Sequence, residues 1–220
     1  MENKVIGIEG YVGAGKTSIC RKLINLIPNS IILEGGNLYR AIVYSLMTSG
    51  INLEDLKKNM NHVDIKSVME KLNIEIKIEN RDTIILIDGK EIDEQKIQSA
   101  KSSVAVSETS KVADNKNFYA FGKKIIDQLK EQFDYIIIDC SPISVSVDAE
   151  VWMEVVDSTI LLVRQDWTDI RIINDTVDLI WQSDCDFIGF ALNMFIDDEI
   201  RHNDYGYSYY DYKTHRHESR

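Results

Sequence analysis

One run of eight residues constrains this chain more than any other: Gly10-Tyr11-Val12-Gly13-Ala14-Gly15-Lys16-Thr17. It fits the pattern G-x-x-x-x-G-K-[ST], the phosphate-binding P-loop. The flanks fit as well. Lys4–Glu9 reads as a short buried strand, and Ser18–Ile27 as a helix with an apolar face. Strand, glycine loop, helix is the arrangement that the motif requires. Glycines at 10, 13 and 15 let the backbone curl so that successive N–H groups point inward at an anion. The helix N-terminus adds partial positive charge. The pattern therefore assigns Gly10, Gly13, Ala14, Gly15, Lys16, Thr17 and Ser18 to a nucleotide, expected to be ATP. Lys16 is the expected catalytic cation at the β- and γ-phosphates, and the Thr17 hydroxyl is an expected Mg²⁺ ligand.

A second signal lies far along the chain. Asp134-Tyr135-Ile136-Ile137-Ile138-Asp139 is an apolar run that ends in a carboxylate. At the C-terminal end of a strand, Asp139 would hold Mg²⁺ opposite the P-loop hydroxyl. Further strands are expected at Ser30–Leu33, Ser158–Val163 and Phe187–Asn193, with helices between them. Strands alternating with helices imply parallel βα units. The fold class is therefore α/β: a P-loop NTPase with a mostly parallel sheet flanked by helices. Ligands in such sheets lie beyond the strand C-terminal ends, where Gly10–Thr17, Asp139 and Asn193 all fall.

The middle of the chain departs from this rhythm. Two short helices are expected within 52–72. Ile74, Ile76 and Ile78 then alternate with charged residues, and Thr83–Ile87 follows a turn at Glu79–Asp82. That is a hairpin, closed by a second turn at Asp88-Gly89. Helices are expected over 93–113 and about 117–132, the latter with an apolar stripe of Phe118, Phe121, Ile125, Ile126 and Leu129. The expected organisation is a core of 1–36 and 133–195, a helical and hairpin lid insertion at 37–132, and a polar tail at 196–220. The tail carries Tyr205, Tyr207, Tyr209, Tyr210 and Tyr212 with little aliphatic content. It cannot bury a core of its own.

Bulk properties narrow the partners. A net charge of −11 argues against nucleic acid. The three cysteines, Cys20, Cys140 and Cys185, show no metal or disulfide spacing and read as reduced thiols. No apolar run approaches the roughly 18 residues needed to span a bilayer. With the first strand starting near residue 4, no signal peptide is expected. The expected location is cytoplasmic, with any membrane recruitment supplied by a partner.

Two family resemblances divide the chain. Residues 1–120 resemble bacterial cytidylate kinase. Leu33-Glu34-Gly35-Gly36-Asn37-Leu38-Tyr39-Arg40-Ala41 looks like that family's L-D-T-G-A-M-Y-R-A. The Ile87–Ile92 turn and Thr109-Ser110-Lys111-Val112-Ala113 look like its L-N-G-E-D-V and A-S-R-V-A segments. The resemblance implies an acceptor nucleotide contacted by Tyr39 and Arg40. Where the family places a phosphate-binding arginine, this chain has Tyr119, and the arginine-rich lid is missing. From about 133 onward the chain resembles the bacterial tyrosine kinases of capsule and exopolysaccharide assembly. Phe133–Pro142, Val156–Arg164 and Gly189-Phe190-Ala191-Leu192-Asn193 look like their F-D-Y-I-I-I-D-T-P-P, V-D-G-T-L-L-V-V-R and G-V-V-L-N. That resemblance implies an adenine contact for Asn193 and tail tyrosines that accept phosphate. It also implies homo-oligomers for phosphorylation in trans, and a membrane-protein activator.

Three functions follow, in this order of expectation. The first is a tyrosine autokinase that phosphorylates Tyr205, Tyr207, Tyr209, Tyr210 and Tyr212, with Asp139 or Glu34 near the accepting hydroxyl. The second is a nucleoside monophosphate kinase of the cytidylate type. The third is an ATP-operated switch that binds a protein partner.

Overall fold

The computed structural model describes residues 3–48, 74–92, 115–144, 146 and 148–196. The expected helices over 52–72 and 93–113 lie outside the described residues. So do the five tail tyrosines and the side chain of Tyr39. The described elements are β1 (Lys4–Gly10), α1 (Lys16–Leu26), β2 (Ser30–Glu34), α2 (Gly35–Thr48), β3 (Ile74–Glu79), β4 (Asp82–Ile87), β5 (Lys90–Glu91), α3 (Asn115–Lys130), β6 (Tyr135–Asp139), α4 (Asp148–Met153), β7 (Ser158–Arg164), α5 (Ile170–Trp181) and β8 (Asp186–Asn193). The strands form one sheet in the order β3-β4-β2-β6-β1-β7-β8, with β5 paired to β4. The five strands from β2 to β8 in that order run parallel.

The apolar runs of β1, β2 and β6 have no polar face because helices cover both sides of the sheet. On one side Cys20 and Ile24 of α1 pack with Ile8, Ile32 and Ile137. On the other, Leu38 of α2, Ile125, Ile126 and Leu129 of α3, and Trp152 and Met153 of α4 pack with Val5, Ile31, Leu33, Ile136 and Ile138. Each such isoleucine or leucine contributes about 1.5–3 kcal/mol on full burial. Burial pushes the Cys20 thiol well above its ordinary pKa, so it stays protonated.

Two parts of segment 37–132, set apart above as an insertion, join the main body. The hairpin extends the sheet at its β2 edge: Ile32 is in register with Asp82, and Ile32 N–H donates to Arg81 O at 3.1 Å. The Arg81 guanidinium then donates to Ser30 O, Ile27 O and Ser30 Oγ. The turn itself is as expected, with Asn80 and Arg81 both at positive φ (52° and 64°), the geometry of a type I′ turn. Helix α3 belongs to the core through Ile125, Ile126 and Leu129. The reason is coverage, since α3 and α4 together shield the face of β2 and β6 that α1 leaves open.

At the opposite edge, the expected strand over Phe187–Asn193 forms as β8, an edge strand. Phe187 packs against the core, whereas Ile188, Phe190 and Leu192 are more than half exposed. Among the described residues no helix is long and apolar enough to cross a membrane.

Candidate functional site

The site forms at the C-terminal ends of the strands, and register places its parts. Ile8 of β1 pairs with Asp139 of β6, and Asp139 pairs with Glu34 of β2. Strand β1 runs two residues further to Gly10, and the loop then turns back into α1. That return brings Thr17, in the first turn of α1, over the end of β6. Thr17 Oγ1 donates to Asp139 Oδ2 at 2.5 Å, across 122 residues of chain. The two signals that the sequence kept far apart are therefore adjacent.

The loop has the backbone it needs. Gly10, Gly13 and Gly15 all have positive φ, at 153°, 77° and 94°. At Gly15 the requirement is double, because a Cβ there would also collide with Asn193 Nδ2. Gly15 is the N-cap of α1 and offers no side-chain cap, so the first N–H groups of that helix are left to solvent or an anion. Lys16 Nζ donates to Gly10 O at 2.6 Å, which holds the ammonium across the loop. Ala14 is fully buried beneath it, while Thr17 and Ser18 face outward.

Burial pushes the Asp139 carboxyl above the ordinary aspartate range. The Thr17 hydrogen bond and the charges of Lys16 and Arg21 pull in the other direction without cancelling that effect. Thr17 Oγ1 and Asp139 Oδ2 are hard oxygen donors side by side at the loop mouth. That suits Mg²⁺, which keeps several waters and takes one or two protein oxygens plus phosphate. Among the described residues no group of three or more His, Cys, Asp or Glu is placed to hold a metal.

Asn193, at the end of β8, reaches the loop: its Nδ2 donates to Ala14 O at 2.7 Å. Arg40, in α2, has its Nη1 3.5 Å from Asn37 Oδ1. Asn37 in turn donates to Glu34. A cavity of about 320 Å³ opens here, lined by Arg21, Glu34, Asn37, Asp82, Glu79 and other hairpin residues. Arg21 bridges Glu34 at 3.4 Å and Asp82 at 3.2 Å. Two carboxylates thus share one guanidinium, while Glu79 pairs with Lys77 at 3.0 Å.

Several participants escaped the sequence reading. Glu9, 1% exposed, accepts from Ile143 N–H at 2.8 Å and ties β1 to the loop after β6. Arg164 donates to Gly13 O, and Trp167 Nε1 donates to Val12 O. The only available signal was that Arg164, like Asp139, ends an apolar strand.

With this geometry in view, the chain can be set beside known proteins. The family model for cytidylate kinase matches residues 6–151. The chain belongs to the cytidylate kinase family. A cytidylate kinase of Caldicellulosiruptor saccharolyticus is 32% identical over 107 residues, covering 49% of this chain and 44% of the relative. The likeness is mosaic. The tyrosine-protein kinase CpsD of Streptococcus agalactiae is 31% identical over 87 residues, covering 40% of this chain and 38% of that protein. This chain spans about half the length, or less, of these curated relatives. Among solved structures, cobyrinic acid a,c-diamide synthase of Mycobacterium smegmatis, with its bound ATP analogue and magnesium, superposes at a TM-score of 0.50. The sequence identity is 14%, covering 94% of this chain and 83% of that one. That match bears on the fold alone, a P-loop sheet flanked by helices.

Proposed function

We propose that this chain is an ATP- and Mg²⁺-dependent phosphotransferase. The observation that carries the reading is the Thr17–Asp139 contact beside Lys16: two oxygens suited to a metal, and a cation, at the mouth of the glycine loop. Phosphoryl transfer needs the donor positioned and its developing charge neutralised, and these groups supply both. Lys16 would hold the β- and γ-phosphates, while Thr17 and Asp139 would hold the metal that shields them. Family membership supports the same assignment.

For the acceptor, we infer a tyrosine hydroxyl, with the tail residues Tyr205, Tyr207, Tyr209, Tyr210 and Tyr212 as first candidates. The cavity chemistry supports it. Glu34 and Asp82 against the single Arg21 of the lining, with Glu79 already paired to Lys77, disfavour a phosphate dianion and can accept a hydrogen bond from a neutral hydroxyl. The likeness to CpsD points the same way. Transfer in trans between copies, and an activating membrane protein, belong to this reading. A second reading, a nucleoside monophosphate acceptor, is favoured by the family match and by Asn37 and Arg40 at the head of α2. Segment 37–132 would then provide the acceptor side in both readings.

One experiment separates them. The purified chain is incubated with γ-labelled ATP and Mg²⁺, with and without CMP. Label on the chain that disappears when the five tail tyrosines become Phe supports the autokinase. Label in CDP supports the nucleotide kinase and ends the first reading. Free phosphate alone ends both, leaving an ATPase switch.

A further inference from the structure

The P-loop is gripped from outside. Three successive carbonyls, those of Val12, Gly13 and Ala14, each accept a hydrogen bond from a side chain more than 150 residues away. Trp167 Nε1 donates to Val12 O at 2.9 Å, Arg164 Nη1 to Gly13 O at 3.1 Å, and Asn193 Nδ2 to Ala14 O at 2.7 Å. The first two donors come from the last residue of β7 and the turn that follows it. The Arg164 guanidinium stacks on the Trp167 ring, 4.8 Å from its centroid. Two further bonds fix the turn: Arg164 N–H donates to Thr168 Oγ1, and Thr168 N–H to Arg164 O, both at 3.1 Å.

A trans peptide unit is planar, with its C=O and N–H pointing in opposite directions. Holding a carbonyl outward therefore aims the next residue's N–H inward. The Val12 carbonyl sets the Gly13 N–H and the Ala14 carbonyl sets that of Gly15, while the Gly13 carbonyl fixes the peptide whose Ala14 N–H donates within the loop to Tyr11 O at 3.0 Å. A loop with glycines at 13 and 15 would otherwise sample many orientations, and ordering it would cost entropy at the moment of binding.

We infer that Arg164 and Trp167 form a clamp that fixes the peptide planes of the P-loop, making them positioning residues for the nucleotide. This rests on the nucleotide-site reading above. The clamp adds pre-organisation rather than a new phosphate ligand. It is also separable from folding, because the Trp167 side chain is 56% exposed and supports no core.

The test is calorimetric titration of the full-length chain with Mg-ADP. Trp167→Ala and Arg164→Ala should each weaken binding about tenfold. The double variant should lose little more, because the two side chains act as one unit. Arg164→Lys keeps a donor for Gly13 O and should recover most of the loss. Trp167→Phe keeps the stacking face without the N–H donor and should fall between wild type and Trp167→Ala. The thermal midpoint of the nucleotide-free protein should stay put in all of them, which a merely structural role would not allow. Lys16→Ala is run alongside. If it abolishes binding while the Trp167 and Arg164 variants bind like wild type, the clamp is refuted and the nucleotide site stands. If Lys16→Ala binds as wild type does, the site itself is misassigned and the clamp falls with it.

Discussion

The two sides of this site are built on different terms. The donor side is over-determined. Its loop is fixed by positive-φ glycines, by Lys16 across the loop, and by three side chains on successive carbonyls. The proposed acceptor side is a cavity where, among the described lining residues, Arg21 is the only guanidinium and is divided between Glu34 and Asp82. A rigid, locally neutralised cradle suits a ligand that is the same in every turnover. An acidic pocket with its cation already engaged does not suit a second phosphate. On the proposed function, the contrast teaches that the triphosphate is the closely specified ligand, and that the acceptor would be selected by what the pocket repels.

The largest predicted effect breaks the donor side. Lys16→Ala removes the ammonium held across the loop, and Thr17→Val removes the hydroxyl that meets Asp139. Losing a preorganised transition-state donor typically costs about 10²–10³ in rate. Transfer of label from ATP should fall by at least about hundredfold in either variant. A fall of only a few-fold would mean that the phosphates sit elsewhere.

Asp139→Asn should separate function from stability. Burial holds this carboxyl above its ordinary value of 3.8. A raised carboxyl contributes stability below the unfolded pKa and loses that contribution as pH rises through the folded one. At neutral pH the ionised Asp139 is therefore a net cost to the metal-free fold. The asparagine variant should melt higher than wild type at pH 7 without Mg²⁺, with the gap closing as pH drops toward 4. Its Mg²⁺-dependent transfer should be lost. A lower melting point at pH 7 would show that the Thr17 hydrogen bond outweighs the burial.

The acceptor side is tested by removing charge. Asp82→Asn frees Arg21 from one of its two partners, and Glu79→Gln takes a second carboxylate from the lining. Together they should raise CDP formation from CMP several-fold over wild type, because unit charges near a surface interact by about 4 kcal/mol at 4 Å before screening by water and salt. An unchanged rate would mean that charge does not select the acceptor and that the contrast between the two sides is one of shape.

What the sequence disclosed follows the same division. Gly10–Thr17 and Asp139 were legible because each is a local signal: a turn that needs glycine, and an apolar strand that ends in a carboxylate. Asn193 was legible by position, at the end of a strand. Arg164 and Trp167 were not, because their role depends on which strand lies beside β1, and no local pattern states that β7 does. The hairpin was legible as a hairpin from its alternation and turn residues. Its docking on β2 was not, since that depends on Arg81 reaching Ser30 and Ile27, more than fifty residues away. Likewise α3 showed its apolar stripe, but not which face of the sheet it would cover.

The smallest predicted effect concerns the scaffold behind the clamp. Helix α5 follows the Arg164–Trp167 turn directly, and its N-cap is Asp169. The Asp169 carboxylate accepts from Arg171 N–H at 2.8 Å, and its second oxygen accepts from the Arg171 guanidinium at the same distance. These bonds hold the exposed carboxyl down at about 2. A lowered carboxyl contributes stability above its unfolded pKa and loses it as pH falls through the folded one. Asp169→Ala should therefore melt slightly lower than wild type at pH 7, with the difference vanishing by about pH 2. Nucleotide affinity is the sharper reading. If α5 only anchors the turn, Mg-ADP should bind the Asp169→Ala variant nearly as well as wild type, since Thr168 still ties the turn to Arg164. A loss as large as that of Trp167→Ala would move the origin of the loop's rigidity from the clamp to the helix behind it.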